Sequence, residues 1–301
     1  MQTDVVVFDA RHLCTDNPSF SSATVYCPST GESLPSIVLV GGWLCGEHVL
    51  AAWGPFFASH GIVALTIGIP APHSHKSTVR GRALVDASKA LQSEHTREGS
   101  KLFGRLDVSS RAVMGYSLGG GGAQLAALAD PALKCAIALA PHSGAPRDTP
   151  FPEKLTDSVP MLFLVGNADT EAPAPKFSRP HYNSTGAPRL LFEISGGDHF
   201  VPTGPSGGNQ NDFMRGRHCG LSFNLMCTVC CEAAPCPDGF GTGPSGLAEE
   251  NAARGAIGGV ALAWLQLFLQ GDESARSRLL QRPGIASGFE STGIRPEEMR
   301  R

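Results

Sequence analysis

The sequence predicts an α/β domain with a mostly parallel central sheet and helices on both faces. Two observations carry this prediction. Apolar, β-branched runs such as 36–40 and 62–67 lack polar alternation, which is typical of strands buried on both faces. Segments with helical spacing lie between these runs, and such alternation indicates parallel strands joined by helices. The 301 residues are 42% hydrophobic, enough for one sizeable core.

The elements follow in chain order. Two opening strands are expected to form an antiparallel edge, and a helical pattern runs from the glycine-rich segment after residue 40 to about His60. Strands are predicted at 5–8, 23–26, 36–40, 62–67, 112–114, 135–140, 161–165 and 190–194, and helices at 79–94, 118–129 and 247–270. We therefore interpret 1–301 as a single domain.

Residues 201–246 break this pattern. Glycine, proline, asparagine and cysteine dominate the segment and no periodicity survives, so we predict an irregular, cysteine-rich insertion before the last helix. Five of the nine cysteines crowd here, namely Cys219, Cys227, Cys230, Cys231 and Cys236. Such crowding indicates either local disulfides or a zinc clip, to which His218 could contribute. Because Cys-x-x-Cys occurs only once, we assign no metal site.

Charge and hydropathy exclude several classes of partner. The net charge of −3 offers no electrostatic basis for binding nucleic acid. The longest uncharged run, between Arg254 and Asp272, contains glycines and glutamines and favours a buried helix over a membrane span. The first residues show neither the basic nor the apolar region of a signal peptide. We expect a monomer.

The motif with the clearest chemistry is Gly115-Tyr116-Ser117-Leu118-Gly119. An apolar run precedes it and an alanine-rich helical pattern follows. Glycines on both sides of a serine permit a strained turn that raises the hydroxyl above the end of a sheet. The pattern therefore predicts a serine nucleophile, the alternative being a glycine-rich turn that only packs a helix on the sheet.

A serine nucleophile needs a base, and the base needs an acid that orients it. Asp169 and His199 each follow a predicted strand, and the chain order Ser117, Asp169, His199 is that of the α/β-hydrolase fold. Glu171 is a nearby rival for the acid. Asp198 is less suited, because adjacent side chains on a loop rarely face each other.

The oxyanion of the reaction needs two backbone donors. The amide after the nucleophile belongs to Leu118, and the glycine-rich loop 41–44 after an early strand offers the amide of Trp43. The Trp43 ring would then contact the acyl group. An ordinary core tryptophan is the alternative interpretation.

Several stretches together point to a known family: 23–28, 53–55, 58–61, 113–122, 192–199 and 260–265. In these stretches the chain resembles the cutinase-like polyester hydrolases, bacterial α/β-hydrolases that include the poly(ethylene terephthalate) (PET) hydrolases. The resemblance covers about 1–200 and 250–275. It implies the α/β-hydrolase fold, the triad of Ser117, Asp169 and His199, and an oxyanion hole made by Trp43 and Leu118.

The resemblance also implies that Trp43, Tyr116 and His142 contact the substrate, and here the chain departs from the family. Tyr116 replaces a histidine or tryptophan, and Leu118 replaces a methionine. His142 replaces a tryptophan whose indole packs on aromatic acyl groups. A histidine is a smaller and more polar wall, which disfavours aromatic polyesters.

Two more departures flank the acid and the base. Some members of the family carry a disulfide across these loops, whereas this chain has Gly166 and Val201 at those places. The insertion 201–246 is far longer than the family's loop. Because it leaves directly from His199, we expect it near the mouth of the site, as a rim or lid.

The sequence thus predicts a serine carboxylic-ester hydrolase that forms an acyl-enzyme, needs no cofactor and acts on esters, with polyesters such as PET among the candidates. A small-ester, lipid or lactone esterase of the same fold is the enzymatic alternative. A non-catalytic α/β-hydrolase-fold protein that binds a ligand is the alternative of another class. The resemblance implies a secreted protein.

Overall fold

The computed structural model describes residues 3–144, 151–205 and 247–294. Within these residues, nine strands and six α-helices alternate along most of the chain. The strands are β1 (Val5–Asp9), β2 (Ser22–Pro28), β3 (Leu34–Val40), β4 (Val63–Gly68), β5 (Leu106–Tyr116), β6 (Cys135–Leu139), β7 (Met161–Gly166), β8 (Arg189–Ile194) and β9 (Ala286–Thr292). The helices are α1 (Trp53–Ser59), α2 (Ser77–Ser93), α3 (Leu118–Ala129), α4 (Ser178–Ser184), α5 (Leu247–Phe268) and α6 (Ala275–Leu280).

All nine strands belong to one sheet, in the order β1-β2-β4-β3-β5-β6-β7-β8-β9. Strands β3 to β8 run parallel to their neighbours within this group, while β1, β2 and β9 pair antiparallel at the two edges. The predicted parallel centre and the antiparallel opening edge are therefore confirmed.

Helices cover both faces of the sheet, as predicted. Along β3, Ile37 and Leu39 point into a core that includes Trp53 of α1 and Trp264 of α5. The alternate residues of β3 point into a second core, which includes Leu84 of α2. Burial on both faces explains why the central strands are continuous apolar runs.

Three elements escaped the sequence analysis: α4, α6 and β9. Helices α4 and α6 have seven and six residues, too few for a helical period to show. Strand β9 is an edge strand whose residues are intermediate or exposed, so its sequence lacks an apolar run. The helix α5 is consequently not the last element of the fold.

The cysteine-rich insertion is described only at its start, where Val201–Thr203 form a short 3-10 helix. The remainder of 201–246, with its five cysteines and His218, lies outside the described residues. Two cysteines outside this insertion, Cys45 and Cys135, are buried thiols that are 5% and 0% exposed. No helix in the part of the chain that the structure describes has the length and apolarity to cross a membrane.

A buried carboxylate ties the end of α2 to the N-terminal segment. Glu94 is 2% exposed and accepts hydrogen bonds from Arg97, Ser100 and His12 at 2.6–3.1 Å. Burial raises the pKa of Glu94, but these hydrogen bonds outweigh it and lower that pKa from 4.5 to about 2. The ionised carboxylate therefore stabilises the folded state.

Glu94→Gln is expected to lower the free energy of unfolding by about 2 kcal/mol at pH 7, allowing for solvent screening around the exposed Arg97 and His12. Because folding depresses this pKa, the stabilisation is present above pH 4.5 and disappears as the pH falls towards 2. Urea denaturation at pH 7, 4.5 and 3 should show the wild type and the variant converging. The exposed Glu98→Gln variant is the control, and an equal loss in both variants would contradict the assignment.

Candidate active site

The predicted site residues follow the carboxyl ends of successive parallel strands. Trp43 follows β3, Ser117 follows β5, His142 follows β6, Asp169 follows β7 and His199 follows β8. In an open parallel sheet, the loops at this edge form the crevice in which ligands bind. The topology thus gathers residues that are up to 156 positions apart in the chain (199 − 43).

Ser117 occupies a strained turn between β5 and α3. Its φ of 56° and ψ of −118° lie in a region that L-residues seldom adopt. The turn is held by backbone hydrogen bonds: the Ser117 amide donates to the Leu139 carbonyl at 2.9 Å, and the Ser117 carbonyl accepts from the amides of Gly121 and His142. Such over-determined strain is typical of a residue with a chemical role.

The glycines around Ser117 are required by close contacts. A Cβ on Gly115 would overlap the carbonyl of Gly119, so the turn closes on itself without room for a side chain. A Cβ on Gly42 would lie 2.7 Å from the Cβ of Ser117 and 3.2 Å from its Oγ. The loop after β3 is therefore packed directly against the serine, as expected for an oxyanion loop.

Asp169 and His199 are joined by a short hydrogen bond. The distance from His199 Nδ1 to Asp169 Oδ2 is 2.7 Å, and the two side chains are 7% and 0% exposed. A carboxylate only accepts, so Nδ1 carries the proton and Nε2 keeps its lone pair. The other carboxylate oxygen of Asp169 accepts from the amides of Glu171 and Ala172, which fixes the acid in place.

Glu171 and Asp198, the two other candidates for the acid, make contacts with groups other than the His199 ring. The exposed Glu171 gives its amide to Asp169, and its side chain makes no hydrogen bond to His199 among the described contacts. Asp198 accepts hydrogen bonds from the amides of Phe200 and Val201 at 3.0 Å and so caps the following turn. The geometry favours Asp169 as the acid.

The loop that carries Asp169 is joined to the loop that carries His199 by backbone hydrogen bonds and by the side chain of Asn167. The sequence analysis missed Asn167. Asn167 donates its amide to the Ile194 carbonyl and accepts from Gly196 through Oδ1 at 2.7 Å, while Ala168 donates to Gly197. Gly166 approaches Gly197 so closely that a Cβ would clash. These hydrogen bonds connect the loop that carries Asp169 to the loop that carries His199. The sequence signal that could have identified Asn167 is its place directly after the apolar run of β7.

The two predicted oxyanion donors lie on either side of the serine. Leu118 is the first residue of α3, and the first amides of a helix have no acceptor within it. Trp43 lies next to Gly42, its indole Nε1 donates to the His73 carbonyl at 2.9 Å, and its ring stacks on His75 at 5.0 Å. Trp43 is therefore a rim residue and not part of the core.

Tyr116 and His142 form the walls beside the serine. Tyr116 is 2% exposed and its ring lies 5.0 Å from that of His199, so its burial favours holding the base over touching a substrate. Burial raises the pKa of Tyr116 well above its usual range. His142 accepts from the Gly144 amide through Nδ1 and packs against Phe177, with the ring centroids 4.3 Å apart and the rings tilted by 32°.

His142 is a neutral wall at physiological pH. Burial, with the nearby His199 and Lys176, lowers the pKa of His142 to about 4. Among the described residues, no group of three His, Cys, Asp or Glu side chains could hold a metal ion.

Comparisons with known proteins show what the chain is similar to. Residues 7–215 match the family model described as PET hydrolase-like. The chain is 30% identical over 194 residues to Cutinase 1 of Thermobifida cellulosilytica, covering 62% of this chain and 68% of that protein. It is 30% identical to a cutinase of Thermobifida fusca and 32% identical to the bis(hydroxyethyl) terephthalate hydrolase of Streptomyces coelicolor, covering 62% and 61% of this chain. The aligned parts span 60% and 56% of those two proteins.

Proposed function

Because the chain belongs to the PET hydrolase-like family, we propose that it is a serine carboxylic-ester hydrolase of the cutinase type. The observation that supports this most directly is the buried hydrogen bond from His199 to Asp169, beside the strained turn of Ser117. A base with a fixed tautomer and a serine held on a strained turn are two components that acyl transfer needs.

In the proposed mechanism, Ser117 Oγ attacks the ester carbonyl carbon while His199 Nε2 takes the hydroxyl proton. The tetrahedral oxyanion accepts hydrogen bonds from the amides of Leu118 and Trp43. Asp169 stabilises the imidazolium, which then protonates the departing alcohol. Water attacks the acyl-enzyme and gives a proton to His199, which returns it to Ser117 Oγ as the carboxylic acid is released.

The side chains that line the site favour esters with flexible acyl groups as substrates. His142 is neutral and is held by Phe177 and the Gly144 amide, so it offers a small ring where the family places an indole. Loss of that larger ring removes stacking area for an aromatic acid. We therefore propose aliphatic esters and polyesters as better substrates than terephthalate esters, with Trp43 and His142 lining the acyl site.

The proposal is tested by active-site labelling together with a substrate series. A fluorophosphonate probe is expected to add one phosphonyl group to Ser117, identified by mass spectrometry of the peptide, because the probe reacts with activated serines. p-Nitrophenyl esters of increasing chain length are expected to be hydrolysed, and bis(hydroxyethyl) adipate, which has the same alcohol, is expected to be hydrolysed faster than bis(hydroxyethyl) terephthalate.

Heat-denatured protein is the control for labelling, since an unactivated serine does not react. A folded protein that neither takes up the probe nor hydrolyses any ester would contradict the proposed function and favour a non-catalytic binding protein. A preference for the terephthalate ester would leave the reaction in place and overturn only the substrate proposal.

A further inference from the structure

Arg80 is a fully buried arginine with an unusual set of contacts. It lies in the first turn of α2 and is 0% exposed. Among the described residues, no carboxylate forms an ion pair with it. Burying a cation without an anion is costly unless its protons are satisfied by other acceptors. The acceptors of its hydrogen bonds therefore indicate the role of Arg80.

All six hydrogen bonds of the Arg80 guanidinium go to backbone carbonyls. Three of these bonds reach the oxyanion loop, residues 41–44, and three reach residues 72–76 before α2. The distances are 3.2 Å from Nε to Gly41, 3.2 Å from Nε and 2.8 Å from Nη2 to Gly42, 3.0 Å to Pro72, 2.7 Å to Ser74 and 3.3 Å to Lys76. One rigid group thus binds two loops that are about 30 residues apart in the chain.

The contact with Gly42 bears directly on the oxyanion hole. The Gly42 carbonyl and the Trp43 amide belong to the same planar peptide unit, and in a trans peptide the oxygen and the hydrogen point in opposite directions. The structure contains no cis peptide bond among its described residues. By holding the Gly42 oxygen at two points, Arg80 determines where the Trp43 N–H points.

The second loop reinforces this effect on the same residue. Pro72 accepts the amide of Leu44 at 2.8 Å, and His73 accepts the indole N–H of Trp43 at 2.9 Å. Arg80 binds the carbonyls of Pro72 and Ser74 on either side of His73. The guanidinium therefore fixes both the backbone and the side chain of Trp43.

The positive charge of Arg80 also strengthens the Trp43 N–H as a hydrogen-bond donor. Burial lowers the pKa of the guanidinium to about 10, so the group is protonated at neutral pH. A cation that binds the oxygen of a peptide draws electron density towards it and makes the N–H of that peptide a stronger donor. Hydrogen bonds of this kind are stronger than those between neutral groups.

We infer that Arg80 is a positioning residue of the oxyanion hole, which orients and polarises the Gly42–Trp43 peptide so that its N–H stabilises the tetrahedral intermediate. This inference rests on the proposed function, in which Trp43 supplies one of the two oxyanion donors. A purely structural role, in which Arg80 only ties α2 to two loops, is the alternative that the experiment must separate.

The test uses the full-length Arg80→Lys and Arg80→Gln variants, with Arg111→Lys as the control. Arg111 is also largely buried, but it pairs with Asp130 at 2.9 Å and makes no described contact with the oxyanion loop. The measurements are kcat and KM for p-nitrophenyl butyrate, the Tm, and the inhibition constant of an alkyl boronic acid. The boronate forms a tetrahedral, anionic adduct with the serine and so reports on the oxyanion hole.

We expect kcat to fall about 10-fold in Arg80→Lys, because lysine keeps the charge but lacks the planar guanidinium with its several N–H donors. In Arg80→Gln, which also loses the charge, kcat should fall about 100-fold. KM should stay within about 2-fold of the wild type in both variants. Boronate affinity should weaken in parallel with kcat. Arg111→Lys should keep kcat within about 2-fold at a comparable loss of Tm. If Arg80→Gln does not fold, Arg80→Lys, assayed well below its Tm, decides the question.

Two results would overturn the inference: unchanged kcat in a folded Arg80 variant, or a lower kcat with unchanged boronate affinity. Either result would leave wild-type ester hydrolysis intact and so would not touch the proposed function. A wild type without ester hydrolysis or labelling would instead remove the proposed function, and this inference with it.

Discussion

The Ser117→Ala variant is expected to hydrolyse p-nitrophenyl butyrate about 10⁴- to 10⁶-fold more slowly than the wild type, as for removal of the nucleophile in other serine hydrolases. The reason is chemical: without Oγ there is no acyl-enzyme, and only the oxyanion donors and substrate binding remain. Alanine keeps the Cβ and the φ of 56°, so the turn and its backbone hydrogen bonds should persist. Steady-state kinetics and the Tm measure the two effects separately.

Ser88→Ala is the matched control, because Ser88 is also buried (1% exposed) but lies on α2, where it accepts a hydrogen bond from Arg111. This variant should retain kcat within about 2-fold, since losing the hydrogen bond from the Arg111 guanidinium affects stability and not the reaction. Residual activity above one hundredth of wild type in Ser117→Ala, after contaminants are excluded by active-site titration, would mean that another group is the nucleophile.

The Asp169→Asn variant is expected to lower kcat about 10⁴-fold, the effect known for the corresponding change in a Ser-His-Asp triad. The asparagine oxygen can still accept from the amides of Glu171 and Ala172. Its NH₂ group then faces His199 Nδ1, so the proton must move to Nε2. A histidine in that tautomer cannot accept the proton of Ser117. Steady-state kinetics at pH 7 to 9 measures the loss.

Two neighbouring acids serve as controls for this assignment. Glu171→Gln should leave kcat within about 2-fold, because the side chain is exposed and only its amide contacts Asp169. Asp198→Asn should lower the Tm slightly through the turn that it caps, with a loss of kcat below about 10-fold. A larger loss in Glu171→Gln than in Asp169→Asn would transfer the acid role to Glu171.

Much of the fold was predictable because its signals are local. The central strands are largely apolar, as burial on both faces favours, and each one is separated from the next by a helix or a loop. The strand–turn–helix context of Ser117 is likewise contained in ten consecutive residues. The helices α4 and α6 carry no such signal because they are too short to show a helical period, and the edge strand β9 carries none because no residue of it is buried.

The sequence by itself determined the α/β class, the family and a short list of candidate residues at strand ends, since periodicity, motif spacing and chain order are properties of the chain alone. Only the tertiary structure decided which carboxylate meets His199, because Asp169, Glu171 and Asp198 all lie shortly after strand ends and the orientation of each side chain depends on the folded loops. It also decided the role of Arg80, whose acceptors are carbonyls from distant loops. Every residue has a carbonyl, so such contacts leave no trace in the sequence and exist only once the chain has folded.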